Sequence, residues 1–164
     1  MELSVVDAST KSLEGIGHML TPGQWDILAG GTDFEYADVE RDLGLLPPCS
    51  AGVLESRPRP MVLGRMERHL RTREILVALE GETVFCVAPP QEDADGGVLS
   101  GLTAVRLRAG QALILETGAW HWIPYPVADA VARFLVVFRS GTGKDDLYFH
   151  DFTPGIAIRQ QAAR

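Results

Sequence analysis

Apolar residues in this chain recur mostly at every second position, in short runs cut by glycine, proline and acidic clusters, and that period predicts strands rather than helices. From residue 50 onward the runs come at the close spacing of a sandwich or barrel: 51–57, 61–69, 74–79, 82–88, 103–107, 111–115, 120–123, 131–138 and a ragged 147–152. Glu80-Gly81 turns the third run into the fourth. Pro124-Tyr125-Pro126 is expected to be a turn, since neither proline can donate to a ladder. Upstream, residues 1–6 alternate weakly, as an edge strand would. Ser9 or Thr10 can then cap a short helix that points Leu13 and Ile16 inward and ends at Gly15 and Gly17. Residues 21–31 look turn-like around Trp25, Ile27 and Leu28, and 34–41 reads as a strand or a cover over a barrel mouth. Residues 89–100 are polar, acidic and glycine-rich, hence a loop, and 156–164 reads as weakly helical or frayed. The expectation is one all-β domain over 1–164 with a short N-terminal helix.

Alternation also places chemistry. Along 61–69 it puts Leu63, Arg65, Glu67 and His69 on one face, with Glu74 on the neighbouring strand. A second stretch, Glu116 to His121, adds another imidazole; with His121 and Ile123 inward, Trp120 and Trp122 point to the opposite face, toward a second sheet or an interface. Leu63, Leu76 and Ala78 would line the same cavity, leaving it apolar apart from Glu67, His69, Glu74, His121 and Arg65. Two imidazoles and two carboxylates suit a divalent first-row ion such as Mn, Fe, Ni or Zn, and nothing points to an organic cofactor. Without an ion, two facing carboxylates repel, and one would keep its proton for acid catalysis. Glu67 or Glu74 is the base wherever it is not a ligand. Arg65 is the candidate to fork onto a substrate carboxylate, against the plainer reading of an ion pair with Glu67 or Glu74. Gly141-Thr142-Gly143-Lys144 lacks the full phosphate-loop pattern and reads as a hairpin turn; Glu92-Asp93-Ala94-Asp95 reads as a solvated loop.

Composition narrows the classes. A length of 164 residues with 46% hydrophobic content supports a core without metal or disulfide staples, and Gly 17 with Pro 10 fits a turn-rich β chain. A net charge of −7 argues against nucleic acid and against an anionic membrane surface as partners. No apolar run reaches the roughly twenty residues of a membrane span, and the start lacks a basic-then-apolar leader, so a cytoplasmic protein is expected. Of two cysteines, Cys86 sits inside a strand-like run and reads as a buried structural thiol.

The spacing Glu67-x-His69-x4-Glu74-x6-Gly81 resembles the first cupin motif, with Glu67 at the usual first His. Gly110-x5-Glu116-x-Gly118-x2-His121-x3-Tyr125 resembles the second, with Glu116 for the usual Pro and Tyr125 for the usual Asn. Within the cupins the chain is similar to the ureidoglycolate lyase family through Glu67-Arg68-His69, Gly81, Trp120-His121, Gly17, and 134–139 followed by Ser140-Gly141. The resemblance implies a cupin-type double-stranded β-helix (jelly-roll) barrel. It implies a homodimer that splits ureidoglycolate into glyoxylate and urea in purine (allantoin) breakdown. It also implies Glu67, His69, Glu74 and His121 as catalytic or metal-binding residues, and Arg65 and Tyr125 as substrate contacts. Arg68 is expected to face away from the pocket. Three positions depart from the family pattern: Glu74 replaces Gln, Trp122 replaces a second His, and Phe138 replaces Asp. Two other classes stay open: another metal-dependent cupin enzyme acting on a small acid (a dioxygenase or isomerase), or a ligand-binding cupin without turnover.

Overall fold

A computed structural model describes residues 1–9, 11–20, 29–37, 40, 42–91 and 99–160. In chain order its elements are β1 (Glu2–Asp7), β2 (Gly17–Leu20), β3 (Ala29–Gly30), β4 (Glu35–Tyr36), β5 (Cys49–Ser56), β6 (Val62–Arg68), β7 (Glu74–Glu80), β8 (Thr83–Ala88), β9 (Thr103–Leu107), β10 (Ala112–Leu115), β11 (Trp120–His121), β12 (Tyr125–Pro126), β13 (Ala132–Arg139), α1 (Thr142–Asp145) and β14 (Tyr148–Arg159). Six strands close into a ring in the order β6, β14, β1, β9, β8, β11 and back to β6, with β12 appended to β8. β1 runs parallel to both neighbours; the other ring pairs are antiparallel. A second sheet, β2-β10-β7-β13-β5, lies against one flank of the ring. The all-β barrel expected from the period-two pattern is therefore present.

Two apolar cores follow from this layout. Inside the ring lie Leu3 and Val5 of β1, Leu63 and Met66 of β6, Val84, Cys86 and Ala88 of β8, Trp120, and Ile156 and Ile158 of β14. Between ring and second sheet lie Phe85 and Val87 of β8, Leu76 of β7, Leu113 and Leu115 of β10, and Phe134 and Val136 of β13. β8 is thus buried on both faces, which is why its six residues form an unbroken apolar run apart from Thr83. Two glycines are required by geometry. Gly81 turns β7 into β8 at φ 84°, and at Gly17 a Cβ would meet the Ile114 carbonyl oxygen at 2.1 Å.

Several expectations change. The N-terminal helix is instead a run of hydrogen-bonded turns over 11–16. Ser9 caps the segment, its hydroxyl accepting from the Ser12 amide while Ser12 Oγ accepts from the Ser9 amide, and Thr10, the other expected cap, lies outside the described residues. Leu13 and Ile16 are buried, but the segment is too short to propagate a helix before β2 begins. The one helix among the described residues is α1, where a hairpin turn was expected after Gly141. Tyr125-Pro126 pairs with Val84 and Thr83 at the sheet edge, where the missing proline N–H is tolerated. Residues 156–159, expected to fray, complete β14, because Ile156 and Ile158 fill the ring core beside β1. Trp25, Ile27, Leu28 and the acidic run 92–95 lie outside the described residues. No helix among the described residues is long and apolar enough to cross a membrane.

Candidate active site

Four polar side chains meet in the gap between ring and second sheet. β11 is only two residues long, yet it pairs with β6 so that His121 stands directly opposite Glu67. His69 follows at the end of β6, and Glu74 reaches across from β7 in the other sheet. Glu74 Oε2 lies 3.1 Å from His69 Nε2 and 3.5 Å from His121 Nε2, while Glu67 Oε1 is 3.9 Å from His121 Nε2. The imidazole centroids are 5.0 Å apart, edge to face. His69, Glu74 and His121 are buried and Glu67 is half-buried. The convergence expected of Glu67, His69, Glu74 and His121 is present.

Backbone carbonyls set both tautomers. His69 Nδ1 lies 2.8 Å from the Asp146 carbonyl oxygen and His121 Nδ1 lies 3.1 Å from that of Ala119. A carbonyl only accepts, so each Nδ1 carries the hydrogen and each Nε2 faces the Glu74 carboxylate. Burial opposes ionisation of Glu74, but the charge of His121 and then the close contact with His69 outweigh it and hold the carboxyl down at about 2. Burial likewise opposes the imidazolium of His121, and Glu74 and then Glu67 overcome it, so its pKa is raised. Instead of two carboxylates sharing a proton, the site therefore holds a carboxylate flanked by imidazoles.

The donor set also fits a metal ion. Ligand atoms of Glu67, His69 and His121 lie within 4.8 Å of one another. The buried Nε2 of His121 makes no hydrogen bond, and both Nδ1 atoms are tied back to the protein, as metal-binding histidines usually are. Two imidazoles and a carboxylate suit a divalent first-row ion.

Around this cluster is a cavity of about 380 Å³. Phe85 of β8 lines it from the ring, Leu54, Leu76, Val136 and Phe138 from the second sheet, and Trp122 and Ile123 from just beyond β11. All three departures from the family pattern, Glu74, Trp122 and Phe138, line it. Trp122 was expected on the opposite face; β11 ends at His121, so strand alternation does not carry beyond it. Trp120 keeps the expected orientation but fills the ring core with no exposure, so it presents no dimer surface.

Arg65 and Tyr125 are not brought to the cavity. Strict alternation fails in β6, where Leu63 and Met66 both enter the ring core opposite an irregular stretch of β14 between Asp151 and Ile156. Arg65 is left at the surface, its Nε 2.6 Å from Asp151 Oδ1 and its guanidinium 5.0 Å from the Phe149 ring. Tyr125 faces the ring core, donating its hydroxyl to the Val62 carbonyl at 2.9 Å beneath the Arg59 guanidinium. Leu63 and Ala78, expected as lining, sit in the ring core and the inter-sheet core respectively. Arg68 does face away from the cavity, stacked 4.6 Å over Trp120 and donating to the Gln91 carbonyl, which also accepts from Trp120 Nε1.

Asp146 carries a role that no local motif announces. Its carboxylate accepts from the Leu70 and Arg71 amides, both at 2.9 Å, while its carbonyl orients His69. It lies just after α1, and that segment adds Thr142 and Gly143 to the cavity wall.

The family model described as ureidoglycolate lyase matches residues 47–159. A ureidoglycolate lyase of Pseudomonas syringae pv. tomato is 34% identical over 100 residues, covering 59% of this chain and 56% of the relative. One from Stutzerimonas stutzeri is 31% identical over 114 residues, covering 67% and 64%. The matched stretch thus spans little more than half the length of the first of these relatives. Among solved structures, an oxalate decarboxylase of Bacillus subtilis is similar at a TM-score of 0.42 and 17% identity, over 63% of this chain and 24% of that one.

Proposed function

The chain belongs to the ureidoglycolate lyase family, and from that premise we propose that it is a carbon–nitrogen lyase splitting ureidoglycolate into glyoxylate and urea. The substrate is a carbinolamine: its C–N bond breaks as the hydroxyl loses a proton, the hydroxyl carbon becomes a carbonyl, and the departing urea nitrogen takes a proton. The observation that carries the reading is Glu74, an ionised carboxylate held 3.1 and 3.5 Å from two imidazole Nε2 atoms at the end of an apolar cavity. Glu74, outside the trio of possible ligands Glu67, His69 and His121, accepts the hydroxyl proton and passes it to the departing urea nitrogen. Each transfer is worth about a hundredfold or more.

Glu67, His69 and His121 would hold a divalent ion, which when bound supplies Lewis-acid polarisation of the substrate oxygens. The protein's remaining roles under this reading are those of a homodimeric cytoplasmic enzyme of purine breakdown.

Glyoxylate release from ureidoglycolate by purified, metal-replete protein is the expected result, and none at any metal supplied refutes the lyase. One observation favours a second reading. Two histidines and one carboxylate are also the donor count of non-haem iron oxygenases. Iron retained through purification, with substrate-dependent oxygen uptake and no urea, would establish that alternative.

A further inference from the structure

The walls of the cavity do not match the substrate its floor can process. Ureidoglycolate is almost wholly polar, with a carboxylate, a hydroxyl and a urea group. Away from Glu67, His69, Glu74 and His121, the lining side chains are apolar, Leu54, Leu76, Phe85, Val136 and Phe138 among them. The only further side-chain polar groups among the described lining residues are the Thr142 hydroxyl and the Trp122 indole N–H. No arginine or lysine lines the cavity among the described residues. Polar groups placed against such walls would lose water without gaining partners. Size points the same way. At roughly 30 Å³ per water-sized group, a cavity of about 380 Å³ holds about a dozen such groups. Ureidoglycolate has fewer non-hydrogen atoms than that, and bonded atoms pack more tightly than waters.

We propose, resting on the lyase reading above, that the site prefers carbinolamine ureas of 2-oxo acids whose carbinol carbon carries an apolar substituent, with Phe138 and Leu54 setting the preference. The reaction is unchanged. The C–N bond breaks, the hydroxyl oxygen becomes the carbonyl of a 2-oxo acid, the hydroxyl proton leaves to Glu74, and the urea nitrogen gains a proton. Carboxylate, hydroxyl and urea are common to every member of this class and engage the Glu/His end, so they cannot set the preference. The substituent can, because it is the part that meets Phe138, Leu54 and Val136.

The products give a direct test. Glyoxylate, pyruvate, 4-methyl-2-oxopentanoate and phenylpyruvate are titrated calorimetrically into the full chain, purified without chelators and supplied with Mn(II). Burying one methylene strengthens binding about fourfold, so 4-methyl-2-oxopentanoate is expected to bind roughly thirtyfold or more tighter than glyoxylate even with partial burial. Phe138→Asp is expected to erase that gain; should this variant not fold, Leu54→Ser carries the same expectation. Equal or tighter binding of glyoxylate, failure of all four acids to bind, or a gain unaltered in both variants overturns the preference. Failure of the lyase reading looks different: the chain-length gain would persist while no urea appeared from ureidoglycolate or its substituted homologues.

Discussion

Replacing Glu74 by glutamine keeps the shape of the side chain and removes one buried charge, which isolates what that carboxylate does. The flanking imidazoles lower its carboxyl from 4.5 to about 2. At about 1.4 kcal/mol per pH unit, that difference stabilises the metal-free fold by about 3 kcal/mol. The sign follows from the direction. A lowered carboxyl contributes stability that is fully present above pH 4.5 and is lost as pH falls toward 2. His121, raised by the same contact, contributes stability below its ordinary 6.5 that is lost as pH climbs through its folded value. Urea unfolding of chelator-treated protein, followed by tryptophan fluorescence, should therefore place Glu74→Gln about 3 kcal/mol below the parent at pH 5.5. The gap should close as pH falls from 4.5 to about 2. In metal-replete protein the same variant should lose about a hundredfold in kcat, because glutamine cannot accept the hydroxyl proton. Parallel pH dependences for the two proteins would refute the ion-pair reading, and a rise in kcat would refute Glu74 as base.

Other outcomes test neighbouring parts of the site. His121→Ala should lower affinity for a divalent ion by tenfold or more, read by metal content after dialysis, whereas unchanged content would remove His121 from the ligand set. Thiol labelling should modify the exposed Cys49 and spare Cys86, whose burial pushes it up to about 12, until denaturant is added; rapid labelling of both would contradict the ring core. Arg65→Ala should leave KM and the unfolding midpoint unchanged, since Arg65 pairs with Asp151 at the surface; a tenfold rise in KM would restore it to the substrate site.

Most of the strand framework was legible because period-two alternation survives wherever one face is buried. The Glu67, His69, Glu74 and His121 cluster was legible for the same reason, since Glu67 and His69 sit two apart at the end of β6. Arg65 was misplaced because the irregular pairing opposite Gly64 breaks that alternation, and nothing near residue 64 announces a partner strand ninety positions away. The N-terminal helix had its cap and its apolar pair but too few residues to outweigh the cost of nucleation. Asp146 could not be seen at all, because its effect on His69 passes through a backbone carbonyl and two amides distant in sequence. Closure of the ring was equally hidden: it depends on β11, a strand of two residues.

β8 serves as a party wall. Cys86 belongs to one room and Phe85 to the other, a single peptide bond apart. A bulkier residue in the ring would push that bond toward the reacting groups, so substitutions remote from the cavity can retune it. Specificity in this protein is consequently inherited from two interiors at once, and neither can drift without the other recording it.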